Sequence, residues 1–218
     1  MNNVIKEQDI PDLNIFMMCE KINEDALREI PEGYHIRNIR KDELDIWKAF
    51  PFDNEEDKKE YYDFMTNYFN NVYKSKEEEF YNSCLFICDS NDKPVATGFV
   101  WLSYGEFYTM HWLKVLKEYE DKGIGRAILS EVMKQIPSDK YPVYLHTQPG
   151  SFRAIKLYSD FGFSILTDEY IGNRKNEYKE SIQYLKYFMG EERYSKLNFK
   201  DSDGKFSNAA SKSNIHEF

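Results

Sequence analysis

Residues 113–126 read Leu-Lys-Val-Leu-Lys-Glu-Tyr-Glu-Asp-Lys-Gly-Ile-Gly-Arg, a strand-like stretch that runs into a glycine turn and the first residues of a helix. Gly123 and Gly125 carry no Cβ, so the backbone can turn sharply and several N–H groups can point outward together. The first N–H groups of a helix have no partner inside it, and the helix dipole favours negative charge there. The stretch therefore suits a phosphate site, to which Lys117, Lys122 and Arg126 add positive charge. An ordinary tight strand-to-helix turn with no ligand is the alternative, because a pair of glycines alone is a weak signal.

The residues around this turn predict alternating strands and helices. Ile128, Leu129, Val132, Met133 and Ile136 share one helical face after the turn, and Pro137 closes that helix. Before it, two apolar stretches flank the turn residues 90–93 and predict an antiparallel hairpin, which a third strand, 107–115, extends. After it, residues 142–147 predict a strand, parallel to 107–115 if the crossover is right-handed, and residues 163–166 predict another.

Bulk composition excludes several classes of protein. The 218 residues, 41% of them hydrophobic, are enough for one domain with a sizeable core. The formal charge of −9 argues against nucleic-acid binding. Cys19, Cys84 and Cys88 lack metal-ligand spacing and suit reduced, buried thiols, so no metal site is expected. No leader or membrane-length apolar run is apparent, so we expect a cytoplasmic monomer or homodimer with no membrane partner.

Two segments resemble the motifs of a known superfamily. The first segment consists of Leu113-x-Val115 and residues 118–127. It resembles a motif of the GNAT acyl-CoA-dependent N-acyltransferases, in which a strand precedes the pyrophosphate loop Gln/Arg-x-x-Gly-x-Gly/Ala. Residues 151–163 resemble the Asn-x-x-Ala-x-x-Leu-Tyr-x-x-x-Gly-Phe segment of the same superfamily. The two motifs lie in the right order, with a helix and a strand between them, and their joint occurrence is more specific than either alone.

The resemblance implies a mixed α/β fold of three layers. Its sheet would be mixed and mostly antiparallel, with helices on both faces, and the strands ending near Val115 and Thr147 would form a splayed parallel pair. It also implies a domain organisation: an N-terminal decoration (1–33), a GNAT-like acetyltransferase domain (34–167), a C-terminal helical extension of that domain (168–199) and a polar tail (200–218).

The same resemblance implies an N-acetyltransferase that moves an acetyl group from acetyl-CoA to an amine acceptor by direct attack. The backbone of Leu113 and Val115 would pair with the pantetheine arm like an added strand. The pyrophosphate would lie on the N–H groups of the loop, which are those of Asp121, Lys122, Gly123, Ile124, Gly125 and Arg126. Ser151 stands where the family usually has Asn. Glu120 replaces the usual Gln or Arg, and Asp121 follows it. Two adjacent carboxylates would repel a pyrophosphate unless they turn outward, so the affinity for the cofactor stays open.

Acyl transfer to an amine needs a neutral amine, a donor to the developing oxyanion and an acid for the departing thiolate. The resemblance places the Tyr158 hydroxyl near the sulfur as that acid. His111 is the candidate base, because the ordinary pKa of a histidine is near neutral and His111 shares a strand face with Leu113 and Val115. The resemblance points the same way, since arylalkylamine acetyltransferases use a histidine at this position. His146 is the second candidate base and a candidate substrate contact.

Asp53, with Glu55, is a candidate to hold a cationic acceptor between aromatic walls, although acids at a helix start also serve as caps. Another class of function stays open. A non-catalytic acyl-CoA-binding sensor or interaction module would keep the loop intact while Tyr158 and His111 served only in packing. A dinucleotide-binding domain fits less well, because it needs a third glycine and an all-parallel unit. A nucleotide P-loop lacks its Gly-Lys-Ser/Thr ending here.

Overall fold

The computed structural model describes residues 5–218, which contain ten β-strands and nine α-helices. The strands are β1 (Ile15–Cys19), β2 (His35–Asn38), β3 (Leu85–Cys88), β4 (Pro94–Ser103), β5 (Phe107–Val115), β6 (Val143–Thr147), β7 (Phe163–Leu166), β8 (Tyr170–Ile171), β9 (Arg174–Lys175) and β10 (Phe199–Lys200). The helices are α1 (Leu44–Ala49), α2 (Glu55–Glu60), α3 (Tyr62–Val72), α4 (Glu77–Ser83), α5 (Ile124–Lys134), α6 (Phe152–Asp160), α7 (Tyr178–Met189), α8 (Glu191–Tyr194) and α9 (Lys205–Ser211). The predicted mixed α/β fold is confirmed.

The chain divides into two compact units. One comprises the described residues up to Asp25 together with Tyr141–Asn214, and its main strands lie in the order β10-β7-β1-β6. The other comprises Ala26–Lys140 with Ile215–Phe218, and its strands lie in the order β5-β4-β3-β2. Within the units the pairings are antiparallel, except that β10 runs parallel to β7. Within residues 5–218, none of the helices has both the length and the apolar character that a membrane crossing requires.

The second unit confirms the predicted hairpin and the helix after the glycine turn. Strands β3 and β4 pair antiparallel, with Leu85 opposite Gly98. All five apolar residues predicted to share one face of the helix after the turn are buried. Trp47 lies at the centre of an aromatic cluster, where its ring is 5.1 to 6.5 Å from five others, those of Phe69, Tyr73, Phe80, Phe99 and Trp112. Edge-to-face pairs of this kind add stability beyond the area they bury.

The helices of this unit differ from the predicted ones in two places. The apolar positions from Asn54 to about Val72 keep helical spacing and predict one helix, but the stretch breaks into α2 and α3 at Tyr61, which has φ −95° and ψ 7°. The Tyr61 ring stacks on Phe52 with centroids 5.1 Å apart, a tertiary contact that the helical periodicity does not contain. Helix α4 is not predicted at all, because it is short and acidic and presents only Phe80 and Tyr81 to the core.

The sequence indicates only a short apolar stretch from Asn14 to Cys19, whereas in the first unit this stretch forms β1, a strand with two neighbours. All five residues of β1 are buried, and the strand pairs with β6 on one side and β7 on the other. The polar tail also contributes, since Phe206 of α9 is fully buried and stacks on Tyr144 at 4.0 Å. Few apolar residues are enough for a tail that folds against an existing surface. The predicted boundaries after residues 33, 167 and 199 stay predictions.

Candidate active site

Strand β5 contains a β-bulge just before Leu113. Phe99 of β4 lies opposite His111, whereas Thr97 lies opposite Lys114, so Gly98 faces two residues, Trp112 and Leu113. A Cβ on Gly98 would lie 3.0 Å from Leu113 Cδ1, so glycine permits this close approach. Trp112 has φ +52°, a left-handed conformation that costs a bulky residue about 1–3 kcal/mol. The bulge therefore sets the direction in which the end of β5 presents its backbone.

The chain leaves β5 through a 3-10 turn, Lys117–Tyr119, and enters α5 through two left-handed residues. Asp121 has φ +59° and Gly123 has φ +79°. The first helical bond of α5 runs from the Ala127 N–H to the Gly123 carbonyl at 3.0 Å, so the N–H groups before it have no intrahelical partner. Apart from the chain neighbours of Gly123 and the backbone of its own helix, only Pro31 among residues 5–218 would come within 4 Å of a Cβ added to Gly123, at 3.8 Å, so this side of the loop is open.

The charges around this loop are of both signs. Lys122 Nζ donates to the Glu118 carbonyl at 3.0 Å and lies 4.7 Å from the centre of the Tyr119 ring, which holds a positive charge on the loop. Glu120 and Asp121 are exposed. Water therefore solvates both carboxylates, and their repulsion of an anion bound to the backbone is weakened by the high dielectric.

His111 is 3% exposed and lies in a continuous chain of hydrogen bonds. Its Nδ1 is 2.5 Å from the Tyr73 hydroxyl, and its Nε2 is 2.7 Å from Thr109 Oγ1. Thr109 Oγ1 is in turn 2.6 Å from Ser103 Oγ. Burial lowers the pKa of His111 to about 3, so the ring is neutral. Because both ring nitrogens have partners, neither is free to take a proton from an amine in this arrangement.

Asp53 is held by an ion pair. Its carboxylate lies 2.7 Å from Lys114 Nζ on β5, and Glu55 pairs with Lys58 at the same distance. The aromatic wall predicted beside Asp53 is present in the stack of Phe52 on Tyr61. An acceptor ammonium at Asp53 would compete with Lys114 for the carboxylate.

Tyr158, in the first unit, lies on α6 and is 6% exposed. Its ring centre is 5.9 Å from that of Phe163. Burial raises the pKa of the Tyr158 hydroxyl above its usual value, so the group stays protonated at neutral pH.

Ser151 and His146 also belong to the first unit. Ser151 is exposed at the start of α6, where a serine is expected to cap the helix. Its side chain does not do so, because a 3-10 turn, Pro149–Ser151, leads into α6 and leaves Ser151 with φ −87° and ψ 31°, not the extended backbone of a capping residue. His146 Nε2 is 2.9 Å from Asn14 Oδ1. Burial, and to a lesser degree Arg174, lowers the pKa of His146 to about 3.

The predicted site residues therefore fall into two groups. The loop, Leu113, Val115, His111 and Asp53 lie in the second unit, whereas Tyr158, Ser151 and His146 lie in the first. Sequence reasoning missed three residues that contact the first group: Trp112, Tyr73 and Lys114. A glycine inside a strand pattern often marks a bulge, so Gly98 was the one available signal for Trp112.

Among the described residues, His35, Cys88 and Asp92 place possible metal ligands within 4.8 Å of one another. The Asp92 carboxylate already accepts hydrogen bonds from Arg37 Nε at 2.9 Å and from Arg40 at 2.7 Å. Two guanidinium groups repel a cation at this point, so we assign the cluster to structure.

A family model described as "Acetyltransferase (GNAT) family" matches residues 39–163, more than half of the chain. The chain belongs to the acetyltransferase (GNAT) family. The match includes the bulged strand β5, the glycine loop and all of α6, so it covers residues of both groups. Acyl transfer is the general chemistry of that family.

Solved structures of GNAT proteins are similar to this chain at low sequence identity. A GNAT-family acetyltransferase from Colwellia psychrerythraea is 15% identical with a TM-score of 0.52, over 72% of this chain and 53% of that one. A GCN5-related N-acetyltransferase from Sphaerobacter thermophilus is 16% identical with a TM-score of 0.45, over 63% of this chain and 43% of that one. This chain thus spans about half the length of these relatives. No curated protein gave a significant match.

Proposed function

We propose that this GNAT protein is an N-acetyltransferase that moves an acetyl group from acetyl-CoA to an amine. The observation that carries the proposal is the turn from the bulged strand β5 into α5. There Asp121 and Gly123 adopt left-handed conformations, and the first N–H groups of the helix lack intrahelical partners. This is the backbone geometry that a phosphate needs at a helix start.

The residues present fit the cofactor. The N–H groups from Asp121 to Arg126 would hold the pyrophosphate, with the Lys122 charge beside them, and the backbone of Leu113 and Val115 would pair with the pantetheine arm. Ser151 would add a contact at the start of α6. When bound, acetyl-CoA supplies the acetyl group as a thioester, whose carbonyl carbon an amine can attack.

Tyr158 would serve as the general acid. Its raised pKa keeps the hydroxyl protonated at neutral pH, so it can donate a proton as negative charge develops on a leaving thiolate. Its place in the segment 151–163, which resembles the tyrosine-containing motif of the family, supports this role.

His111 would position other groups rather than act as the base, since both of its ring nitrogens are engaged. We propose that the acceptor loses its proton to water. Asp53 and His146 are the candidate acceptor contacts, and an acceptor would have to displace Lys114 from the first or Asn14 from the second.

The test is an acyl-transfer assay with the full-length protein, acetyl-CoA and a panel of primary amines. Free thiol should appear only when an amine is present, and mass spectrometry should show one acetyl group added to that amine. Omitting the amine controls for hydrolysis. Binding of acetyl-CoA without transfer to any amine would favour the sensor over the enzyme, and failure to bind acetyl-CoA would overturn both.

A further inference from the structure

Trp112 has an unusual backbone conformation for its place in the fold. Four non-glycine residues in the described part of the chain have positive φ: Asp92, Tyr104, Trp112 and Asp121. Of these, Trp112 lies inside a strand, whereas the others lie in turns or in the glycine loop. A large side chain persists in this conformation only where its surroundings hold it.

The Trp112 side chain is held by a hydrogen bond and by ring contacts. Its indole Nε1 donates to the Tyr73 hydroxyl at 3.1 Å, and its ring centre is 5.2 Å from that of Tyr68 and 5.9 Å from that of Trp47. Tyr73 is fully buried, with its ring edge-on to Trp47 and to Trp101. The hydroxyl that Trp112 contacts therefore has a defined position.

Tyr73 also contacts the residue on the other side of the bulge. Its hydroxyl is 2.5 Å from His111 Nδ1, and the other ring nitrogen of His111, Nε2, forms a hydrogen bond with Thr109. One buried hydroxyl thus joins His111, the last residue in normal register, to Trp112, the extra residue of the bulge. We call the three residues joined by these contacts the bulge clamp: Tyr73, His111 and Trp112.

We propose that Tyr73 and Trp112 are positioning residues for acyl-CoA, because the bulge clamp fixes the register of Leu113 and Val115. This proposal rests on the proposed function. If the bulge were lost, the pairing of β5 after it would shift by one residue. Each following residue would then lie on the opposite face of the sheet, and its N–H and C=O groups would point in another direction. A bulge that relaxes would therefore misplace the backbone that the pantetheine arm needs, while the phosphate loop further along the chain would keep its own geometry.

The test compares two ligands on the same variants. Coenzyme A carries the pantetheine arm, whereas adenosine 3′,5′-bisphosphate carries the nucleotide end without it. In Trp112→Phe, which keeps a ring but removes the N–H, the Kd for coenzyme A should rise about fivefold, the affinity equivalent of one hydrogen bond. The Kd for the bisphosphate should change less than about twofold. Tyr73→Phe breaks the same bond from its other end and should give the same pattern.

Calorimetric titration of each folded variant measures both constants, and Tyr81→Phe is the matched control, because it removes a hydroxyl from the same aromatic cluster outside the bulge clamp. If Trp112→Phe and Tyr73→Phe act through the same hydrogen bond, their effects should not add. The double variant should then have a Kd for coenzyme A no higher than that of the single variant with the higher Kd. Equal weakening of both ligands, or no change for either, would overturn the positioning role. Failure of the wild-type protein to bind coenzyme A would instead overturn the proposed function.

Discussion

At the scale of single residues, His111 is buried and His146 is partly buried, both in the neutral form, and desolvation lowers the pKa of each to about 3 from an ordinary 6.5. Between those values the unfolded chain binds protons that the folded chain does not. The free energy of unfolding should therefore fall as the pH is lowered from about 6.5 towards 3, by about 1.4 kcal/mol per pH unit for each histidine. Above about pH 6.5 neither histidine should contribute a slope.

His111→Gln should remove one histidine's share of that slope, which urea unfolding at pH 7, 6 and 5 measures. The matched control is His216→Gln, because His216 is exposed. The expectation fails if the His111 variant loses stability between pH 7 and 5 as steeply as the wild-type protein does.

Tyr158→Phe tests the proposed acid. The ring that packs near Phe163 is kept and the hydroxyl is lost, so turnover should fall by about 10²- to 10⁴-fold while the Kd for acetyl-CoA barely changes. Tyr144→Phe, which alters another buried tyrosine of the same unit, is the control. If the Tyr158→Phe variant acetylates its acceptor at close to the wild-type rate, Tyr158 is not the acid.

At the scale of elements, Gly125→Asp separates the stability of α5 from its ligand binding. An acidic side chain in the first turn of a helix is compatible with the helix dipole, so the fold should persist. The same charge beside a bound pyrophosphate repels it, and the Kd for acetyl-CoA should rise about tenfold or more. Gly105→Asp, in the exposed turn between β4 and β5, adds the same charge as a control. Equal Kd values for the two variants would place the phosphate elsewhere.

At the scale of the whole molecule, acetyl-CoA should protect the native state against heat. A ligand at about 100 times its Kd adds about 2.7 kcal/mol to the free energy of unfolding, which for a chain of this size raises Tm by about 5–10 °C. NADH and ATP at the same concentration should raise Tm less. Protection by NADH or ATP, with none from acetyl-CoA, would contradict the proposed cofactor.

The sequence by itself determined the features that depend on neighbouring residues. Strand β5, the glycine turn and α5 follow from local periodicity and from glycine at positions where the backbone turns, and the hairpin of β3 and β4 follows from its turn residues. Two motifs in the right order also identified the family. Such patterns are readable because the φ and ψ preferences and the alternation of burial that produce them act within a few residues.

Only the tertiary structure decided which side chains are available for chemistry. His111 has the character of a base in the sequence, but Tyr73, 38 residues away, engages one of its nitrogens. Asp53 has the character of a cation site, but Lys114 neutralises it. The position of β1 between β6 and β7 was likewise set by partners far along the chain. Protonation, pairing and strand order depend on desolvation and on contacts between distant residues, and no local pattern contains those.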